Sequence, residues 1–353
     1  LEALRLGNPL LTKQLNDVTT DERAYAQSLG FTLPANGNAV YPGFNSAGGR
    51  FAGTVAQALR PFPQYSRSIN NALESQGQSS YNALTLKLDR RFTQGLQFGA
   101  SYTFSKLITD AAEDLFGDSP LNSVIQNPYD RSSLRSISPN SIPHSFVVNG
   151  IYELPIGKGK RFLNYGGFVD RLVGGFQITG VARYRSGPAL IPFVAGRGDF
   201  TDLFGVGGNL RPNYTGAPFF TENAATGASY RYLNPAAFVA PPRFEAVPTT
   251  DVTDPRYRAY YADPLRFFGT ASPTYNEFRG QPFFTEDLSI MKKTRITETT
   301  YLELRAEIFN LFNRGRFALP DLNVDNPNGF GFSGRIGDIN QPRRIQLGAR
   351  FVF

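Results

Sequence analysis

The stretch SSYNALTLKLDRRFTQGLQFGASYTFSK, residues 79–106, decides the fold because apolar and polar residues alternate along two neighbouring segments of it. The apolar positions are Leu84, Leu86, Leu88 and Phe92 in the first segment and Leu96, Phe98, Ala100, Tyr102 and Phe104 in the second. Successive side chains of a strand point to opposite faces. The residues between the segments, Thr93 to Gly95, are few enough for a tight turn. The pattern therefore predicts an antiparallel hairpin with one apolar face and one polar face.

Five further segments repeat this alternation towards the C-terminus. They cover about residues 145–154, 176–185, 284–292, 302–308 and 344–353. Segments of about ten alternating residues are typical of strands that cross a membrane as part of a barrel. The chain has no apolar run of about 18 residues, which a transmembrane helix would need. We therefore predict an all-β fold, an antiparallel transmembrane β-barrel with about seven strands in this chain.

The predicted connections between these strands alternate in length. Those near Thr93, at 155–175 and at 294–299 are short or intermediate, whereas those at 107–144, before Phe284 and before Arg343 are long. Outer-membrane barrels have short periplasmic turns and longer extracellular loops. We therefore expect long extracellular loops and a periplasmic C-terminus.

The same orientation divides the chain into two parts. Residues 1–79 would form an extracellular loop region before the first complete strand, with a short helix around residues 20–29. Residues 80–353 would form the C-terminal part of the barrel. The rival fold, a soluble β-sandwich, also has short alternating strands, but its loops should be short.

Composition restricts the chemistry that the chain could perform. It contains no Cys, which excludes disulfides, thiolate metal sites and a cysteine nucleophile. The net charge of +7 could indicate nucleic acid, but Lys and Arg are scattered one or two at a time, so no nucleic-acid partner is expected. The chain begins at Leu1 rather than Met, which suggests a fragment.

Several segments resemble one family. SSYNALTLKLDRRFTQGLQFGASYTFSK (79–106), IPHSFVVNGIYELPIGKGKRF (142–162), NPAAFVAP (234–241), YLELRAEIFNLFNRGRFALP (301–320) and RRIQLGARFVF (343–353) are similar to the C-terminal barrel of Oar-like TonB-dependent transporters, outer-membrane proteins with a carboxypeptidase-regulatory-like domain. The resemblance implies a barrel of 22 strands, preceded by a plug domain and a TonB box that this chain lacks. It also implies uptake of an unidentified extracellular ligand, energised by the TonB complex. Phe353 resembles the C-terminal aromatic residue that the barrel-assembly machinery recognises, and it could equally be an aromatic residue at the membrane boundary.

The polar faces of the predicted strands supply the candidate functional residues. Those expected to line the lumen are Lys87, Asp89, Arg91, Arg183, Arg185, Glu303, Arg305, Glu307, Arg344 and Arg350. We expect no catalytic activity, no cofactor and no metal. The alternative functions are a passive porin-like barrel and a structural or adhesive outer-membrane barrel.

Two weaker patterns would add chemistry. His144 beside Ser145 could serve a hydrolase, although no third group or oxyanion hole is marked. Asp321, Asn323 and Asp325 have the alternate spacing of a calcium loop, but Asn326 stands where such a loop needs Gly.

Aromatic residues offer two further interpretations. Tyr257, Tyr260 and Tyr261 could stack on a sugar if their rings were exposed. Near the strand ends, the residues expected at the membrane boundary are Tyr102, Phe104, Tyr152 and Tyr184.

Overall fold

The computed structural model gives the structure of most of the chain. It describes residues 1–36, 53–63, 77–111, 113–114, 117–118, 124–127, 130, 132–197, 200, 203, 208–226, 229–315, 317–334 and 342–353. Within these ranges no helix is long and apolar enough to cross a membrane.

Seven long strands form one antiparallel sheet. They are β1 (Ser79–Thr93), β2 (Leu96–Thr109), β3 (His144–Glu153), β4 (Phe176–Arg185), β5 (Phe283–Arg295), β6 (Tyr301–Phe309) and β7 (Arg344–Val352). Each strand pairs with the next one along the chain, and the two-residue strand Ser136–Ile137 adds to β2. All seven segments predicted as strands are therefore strands. In the part of the chain that the structure describes, β1 and β7 do not pair with each other, so the sheet is open.

The register carries the alternation from one strand to the next. Directly opposite residues of an antiparallel pair lie on the same face; Leu86, for example, pairs with Tyr102, which in turn pairs with Phe146. The result is one apolar face and one polar face across the whole sheet. The apolar face is uncovered by protein, with Leu88 61% exposed and Leu347 78% exposed. An uncovered apolar face on a sheet of this size suits contact with lipid.

Short and long connections lie at opposite ends of the sheet, as the sequence predicts. Gln94 and Gly95, both with positive φ, connect β1 to β2, as expected of a two-residue hairpin turn. Residues 154–175 and 296–300 lie at the same end, which we call the short-turn end. The opposite end, with the connections 110–143, 186–282 and 310–343, is the long-loop end.

Shorter elements occur in the connections. The helices are α1 (Asn8–Leu11), α2 (Thr20–Ser28), α3 (Val55–Ala58), α4 (Phe168–Val173) and α5 (Pro255–Tyr260), with 3₁₀ turns at Glu2–Leu6, Leu15–Asp17, Ser132–Leu134, Pro235–Ala237 and Pro264–Phe267. The short strands are Glu113–Asp114 paired with Gly117–Asp118, Asn213–Tyr214 paired with Phe238–Val239, and Ser229–Leu233 between Phe220–Thr226 and Phe332–Gly334. The helix predicted around residues 20–29 is α2.

Helix α2 begins at a capping box. Thr19 accepts a hydrogen bond from the Glu22 backbone N–H, and the Glu22 carboxylate accepts one from the Thr19 N–H. This arrangement satisfies two N–H groups that the first helical turn leaves without partners. The Glu22 carboxylate also pairs with Lys13 at 2.9 Å. Burial would raise the pKa of Glu22, but the hydrogen bonds from Thr19 and Lys13 outweigh it and lower that pKa.

The hydrophobic core lies outside the sheet, at the long-loop end. Its main cluster joins the first residues of the chain to the connection between β4 and β5; its larger members are Leu4, Leu6, Leu10, Leu15, Tyr25, Phe200, Phe244, Tyr257, Tyr261 and Phe267. A second cluster contains Leu190, Tyr232, Leu233, Phe238, Phe278 and Phe330. We call the body formed by the described parts of residues 1–63 and of the three long connections the cap.

The two faces of the sheet should respond differently to an added charge. Ile290 lies on the apolar face near the middle of β5, between Ile178 and Ala306, and its neighbour Ser289 lies on the polar face opposite Glu307. We expect Ile290→Arg to lower the free energy of unfolding from lipid vesicles by about 2–4 kcal/mol, because the guanidinium would enter hydrocarbon. Ser289→Arg is the matched control and should cost less than about 1 kcal/mol. Equal losses in a denaturant titration would show that the apolar face does not meet lipid.

Candidate functional site

The polar face of the sheet carries nine of the ten residues predicted to line a lumen. Their positions in the register place these on one face: Lys87, Asp89, Arg183, Arg185, Glu303, Arg305, Glu307, Arg344 and Arg350. Arg91 lies within the register shift between Arg90 and Thr93, so strand pairing does not assign it to a face. That the polar face borders a lumen stays a prediction.

Charges of opposite sign alternate along β6 on this face. The Arg305 guanidinium lies 2.8 Å from the Glu303 carboxylate and 3.5 Å from that of Glu307. Lys293 and Arg350 lie opposite Glu303 on the two neighbouring strands. Lys293, which is not among the ten predicted residues, therefore belongs to the same set. Exposed pairs of this kind contribute little to stability, typically about 0–1 kcal/mol, so their main effect is on the electric potential along the face.

The same face contains a shallow open cavity near its centre. It has a volume of about 320 Å³ and is lined on the polar face mainly by Asn149, Ile151, Thr179, Val181, Asp287, Ser289, Glu307 and Phe309. Apolar and polar side chains are mixed here, because Val181 and Ile151 break the alternation. The cavity shows that the polar face is locally concave.

The apolar face carries a row of aromatic rings towards the long-loop end. Tyr102, Phe146, Tyr184 and Phe284 lie opposite one another on four successive strands, with ring centroids 6.1 Å apart for Phe146 and Tyr184. Tyr152 lies six residues further along β3, about 20 Å away at about 3.3 Å per residue. Two aromatic levels at this separation suit the boundaries of an apolar band about 25 Å tall.

His144 lies beside the aromatic row near the long-loop end, and it does not form a hydrolytic pair with Ser145. Its Nδ1 atom is 2.8 Å from the Tyr102 hydroxyl, and its ring lies 5.2 Å from that of Phe104. Ser145 is the next residue of the same strand and points to the opposite face. The two side chains that the hydrolase alternative requires are therefore on opposite sides of the sheet.

The apolar face carries an ion pair that the sequence pattern does not predict. The Glu286 side chain is only 5% exposed, and both of its oxygens accept from Arg314 Nε at 3.0 Å. Register places Glu286 on the apolar face opposite Ala182. The Arg314 guanidinium also lies 5.3 Å from the ring centroids of Phe284 and Phe312. The only sign of this pair in the sequence is that Glu286 interrupts the apolar positions of its strand. The strand pattern does not identify its partner.

The tyrosines considered for sugar stacking are mostly core residues, so that interpretation is wrong for Tyr257 and Tyr261. Both are 0% exposed. The Tyr257 hydroxyl donates to the Leu6 carbonyl oxygen, and the Tyr261 hydroxyl donates to that of Phe244 at 2.8 Å. Burial raises the pKa of both phenols well above the usual range. The reason is spacing: residues four apart at the end of a helix lie on one face, and α5 turns that face into the cap.

Gly7 shows how closely the first residues approach this core. It has φ of 79°, and a Cβ atom added there would lie 2.4 Å from the Tyr261 ring and 2.5 Å from the Tyr257 hydroxyl. Only glycine combines this backbone conformation with such close packing. The N-terminal segment is therefore fitted to α5 rather than loosely attached.

The residues with calcium-like spacing form a network of hydrogen bonds and ion pairs between loops. Asp321 accepts from the Asn323 N–H at 2.9 Å, and Asn323 accepts from the N–H groups of Ala195 and Asp325. The Asp325 carboxylate pairs with the guanidinium of Arg197 at 3.3 Å and with that of Arg243. These contacts join the connection 310–343 to the connection 186–282. The oxygens that would bind calcium are occupied by N–H donors.

A buried polar cluster around Gln126, the Gln126 node, joins the connection 110–143 to the connection 186–282. Gln126 donates to the Gly269 carbonyl at 2.7 Å, and its side-chain oxygen accepts from the N–H groups of Gly269 and Arg211. The Arg211 guanidinium donates to the carbonyls of Ser133 and Ala271. Burial lowers the pKa of Arg211, and the charge of Asp130 opposes that effect. All three long connections are therefore linked to one another.

Comparisons with known proteins agree with this architecture. Residues 11–346 match a family model described as outer membrane beta barrel domain, which spans nearly the whole chain. The comparison with curated proteins gives no match.

The cap core should hold the first residues of the chain. We expect Tyr257→Ala to lower the local unfolding free energy of residues 1–28 by about 3–5 kcal/mol, because it removes a buried ring. Tyr257→Phe, the matched control, removes only the hydroxyl and should cost about 1 kcal/mol. Hydrogen exchange of the backbone amides measures both. Unchanged exchange in Tyr257→Ala would contradict the packing of this segment on α5.

Proposed function

The chain belongs to the family of outer membrane beta barrel domains, and on that premise we propose that it supplies barrel wall and ligand-facing cap to a TonB-dependent receptor of the outer membrane. In this proposal an unidentified substrate binds at the long-loop end and is taken up with energy transmitted by the TonB complex. The long-loop end is then extracellular, and the C-terminus periplasmic.

The observation that carries the proposal is the folded cap. Long loops of a passive barrel need only narrow or shield its opening, whereas a receptor must present a preformed surface, since ordering a loop on binding reduces affinity. Here residues 1–36 share one buried cluster with the connection 186–282, which shares a second with the connection 310–343 through Phe330. The connection 110–143 packs on the connection 186–282 through Val124 and Ile191. They are also joined by the Gln126 node and by the Arg197 and Asp325 pair. Such a body is preorganised to hold a ligand above the sheet.

The polar face of the sheet continues this surface from the cap towards the short-turn end. The register places thirteen charged residues on it, the nine predicted ones with Lys293, Arg295, Glu153 and Asp287; eight are basic and five are acidic. We propose that these charges shape the potential along the uptake path, because a surface lined mainly by one sign of charge concentrates ions of the other sign. No catalytic step, cofactor or metal enters this proposal.

The proposal includes two protein partners besides the ligand. The TonB complex would act through a plug and a TonB box, which the resemblance to Oar-like transporters implies. The barrel-assembly machinery would recognise Phe353, whose ring is 94% exposed and lies 6.2 Å from that of Phe351. Phe353 is thereby free to be bound by another protein.

One measurement on the native protein purified from outer membranes and one in intact cells test the proposal without knowledge of the ligand. We expect no steady channel in planar lipid bilayers, because a receptor is closed at rest. We also expect chemical cross-linking in intact cells to yield an adduct with TonB. A control receptor that is independent of TonB should give no such adduct.

Other results would favour the alternative functions. Stepwise ohmic conductance without a TonB adduct would indicate a passive porin-like barrel. A closed protein without an adduct, in cells whose uptake is unaffected by loss of TonB, would indicate a structural or adhesive barrel. Either result would overturn the receptor proposal.

A further inference from the structure

The connection between β3 and β4 is the largest of the three at the short-turn end, and it is unusually apolar on its surface. Its exposed large side chains are Phe162, Leu163, Tyr165, Phe168, Val169 and Leu172, and Phe168 reaches 76% exposure. The neighbouring connections, Gln94 with Gly95 and residues 296–300, are simple turns. A turn needs no such residues to connect two strands. We call residues 155–175 the apolar turn.

Helix α4 arranges three of these side chains on one side. Phe168, Val169 and Leu172 have the spacing of a helical stripe. Asp170 points the other way, because its carboxylate accepts a hydrogen bond from the Lys158 N–H at 2.6 Å and lies against Gly157 and Gly174. The polar side of α4 therefore packs on the turn itself, and its apolar stripe remains uncovered.

The position of α4 relative to the sheet is set by Lys292. Register places Lys292 on the apolar face of β5, opposite Phe176 and Leu304. Its ammonium group donates to the carbonyl oxygens of Leu172 at 2.8 Å and Gly174 at 2.9 Å. These carbonyls end α4, where a cation is favourable because the last carbonyls of a helix lack partners. Helix α4 therefore ends beside the apolar face, on the side of the sheet that meets lipid.

Basic residues accompany the apolar stripe. They are Lys158, Lys160, Arg161 and Arg171, of which Lys160 pairs with Glu153 at 3.2 Å. Apolar and aromatic side chains with Lys and Arg beside them are the composition of segments that lie in a membrane interface. Anionic lipid headgroups attract such positive charges. The occupant that fits both features is a phospholipid surface.

We propose that the apolar turn is an interfacial anchor, which seats Phe168, Val169 and Leu172 in the headgroup layer of the phospholipid leaflet at the short-turn end. The lipid contact then continues from the apolar face of β4 and β5 onto α4 without interruption. The basic residues of the turn contact anionic headgroups. This anchor is independent of transport, because a passive barrel with the same turn would use it equally.

The absence of Cys from the chain permits a direct test with a single spin label. Val169→Cys carries the label on the stripe, and Glu298→Cys, in the connection between β5 and β6 at the same end, is the matched control. Both variants of the native protein are placed in vesicles of phosphatidylcholine and phosphatidylglycerol. Collision rates with oxygen, which dissolves in lipid, and with a water-soluble nickel chelate then report depth.

We expect the label at position 169 to lie about 5–10 Å into the headgroup and acyl boundary, with oxygen collisions dominant, and the label at position 298 to be in water. A label at 169 that meets nickel as often as the one at 298 would overturn the proposal. So would a label at 169 that neither reagent reaches, since a second copy or another protein would then cover the turn.

A second pair of variants tests the charges. Lys158→Gln combined with Arg161→Gln should make the label at 169 shallower in vesicles with phosphatidylglycerol and leave its depth unchanged in phosphatidylcholine alone. Phe168→Ser combined with Leu172→Ser should move the label into water in both. An unchanged depth in the second variant would show that the stripe does not hold the turn in lipid.

Discussion

The structure depends on one constraint, which is that a backbone N–H or C=O group in hydrocarbon has no water to bond to. A strand that crosses lipid must therefore find all its partners on neighbouring strands. The seven strands meet this requirement because each strand pairs with the next one along the chain. Once pairing is fixed, a side chain can point only to one of two faces. The division into a lipid face and a charged face follows from that geometry and from the period of two in the sequence.

A sheet that is apolar on its outer side cannot also provide a core of the usual kind. The protein places its core at the long-loop end, where Leu6, Leu10 and Tyr257 are buried together as in a water-soluble protein. The cap can consequently hold a fixed shape without support from lipid. Two solvents therefore surround one chain. Contact with lipid requires apolar side chains on one face of the sheet, whereas water drives the burial of apolar side chains in the cap. The pairing of Glu286 with Arg314 lies where these two regions meet, so an acidic residue on the lipid face is neutralised at the edge of the cap.

The sequence predicted the sheet well because the signal is local. Leu84, Leu86 and Leu88 show their common face within five residues, and a strand needs no distant information to be recognised. The cap could not be predicted in the same way. Tyr257 bonds to Leu6 across 251 positions, and no periodic pattern connects them. Nine charges of the polar face were predicted from the period-two alternation alone. Glu286 was not, because its partner, Arg314, lies beyond the end of the next strand.

The pairing of Leu6 with Tyr257 has a consequence for the order of events during folding. Contacts between residues so distant in sequence form slowly, because a long loop must close first. Leu4, Leu6 and Leu10 are made before the rings that cover them, which arrive only with α5, after four of the seven strands. During that interval these leucines are exposed and prone to aggregation. The cap core is thus a late step of folding, because residues 4–10 can be covered only once α5 is in place.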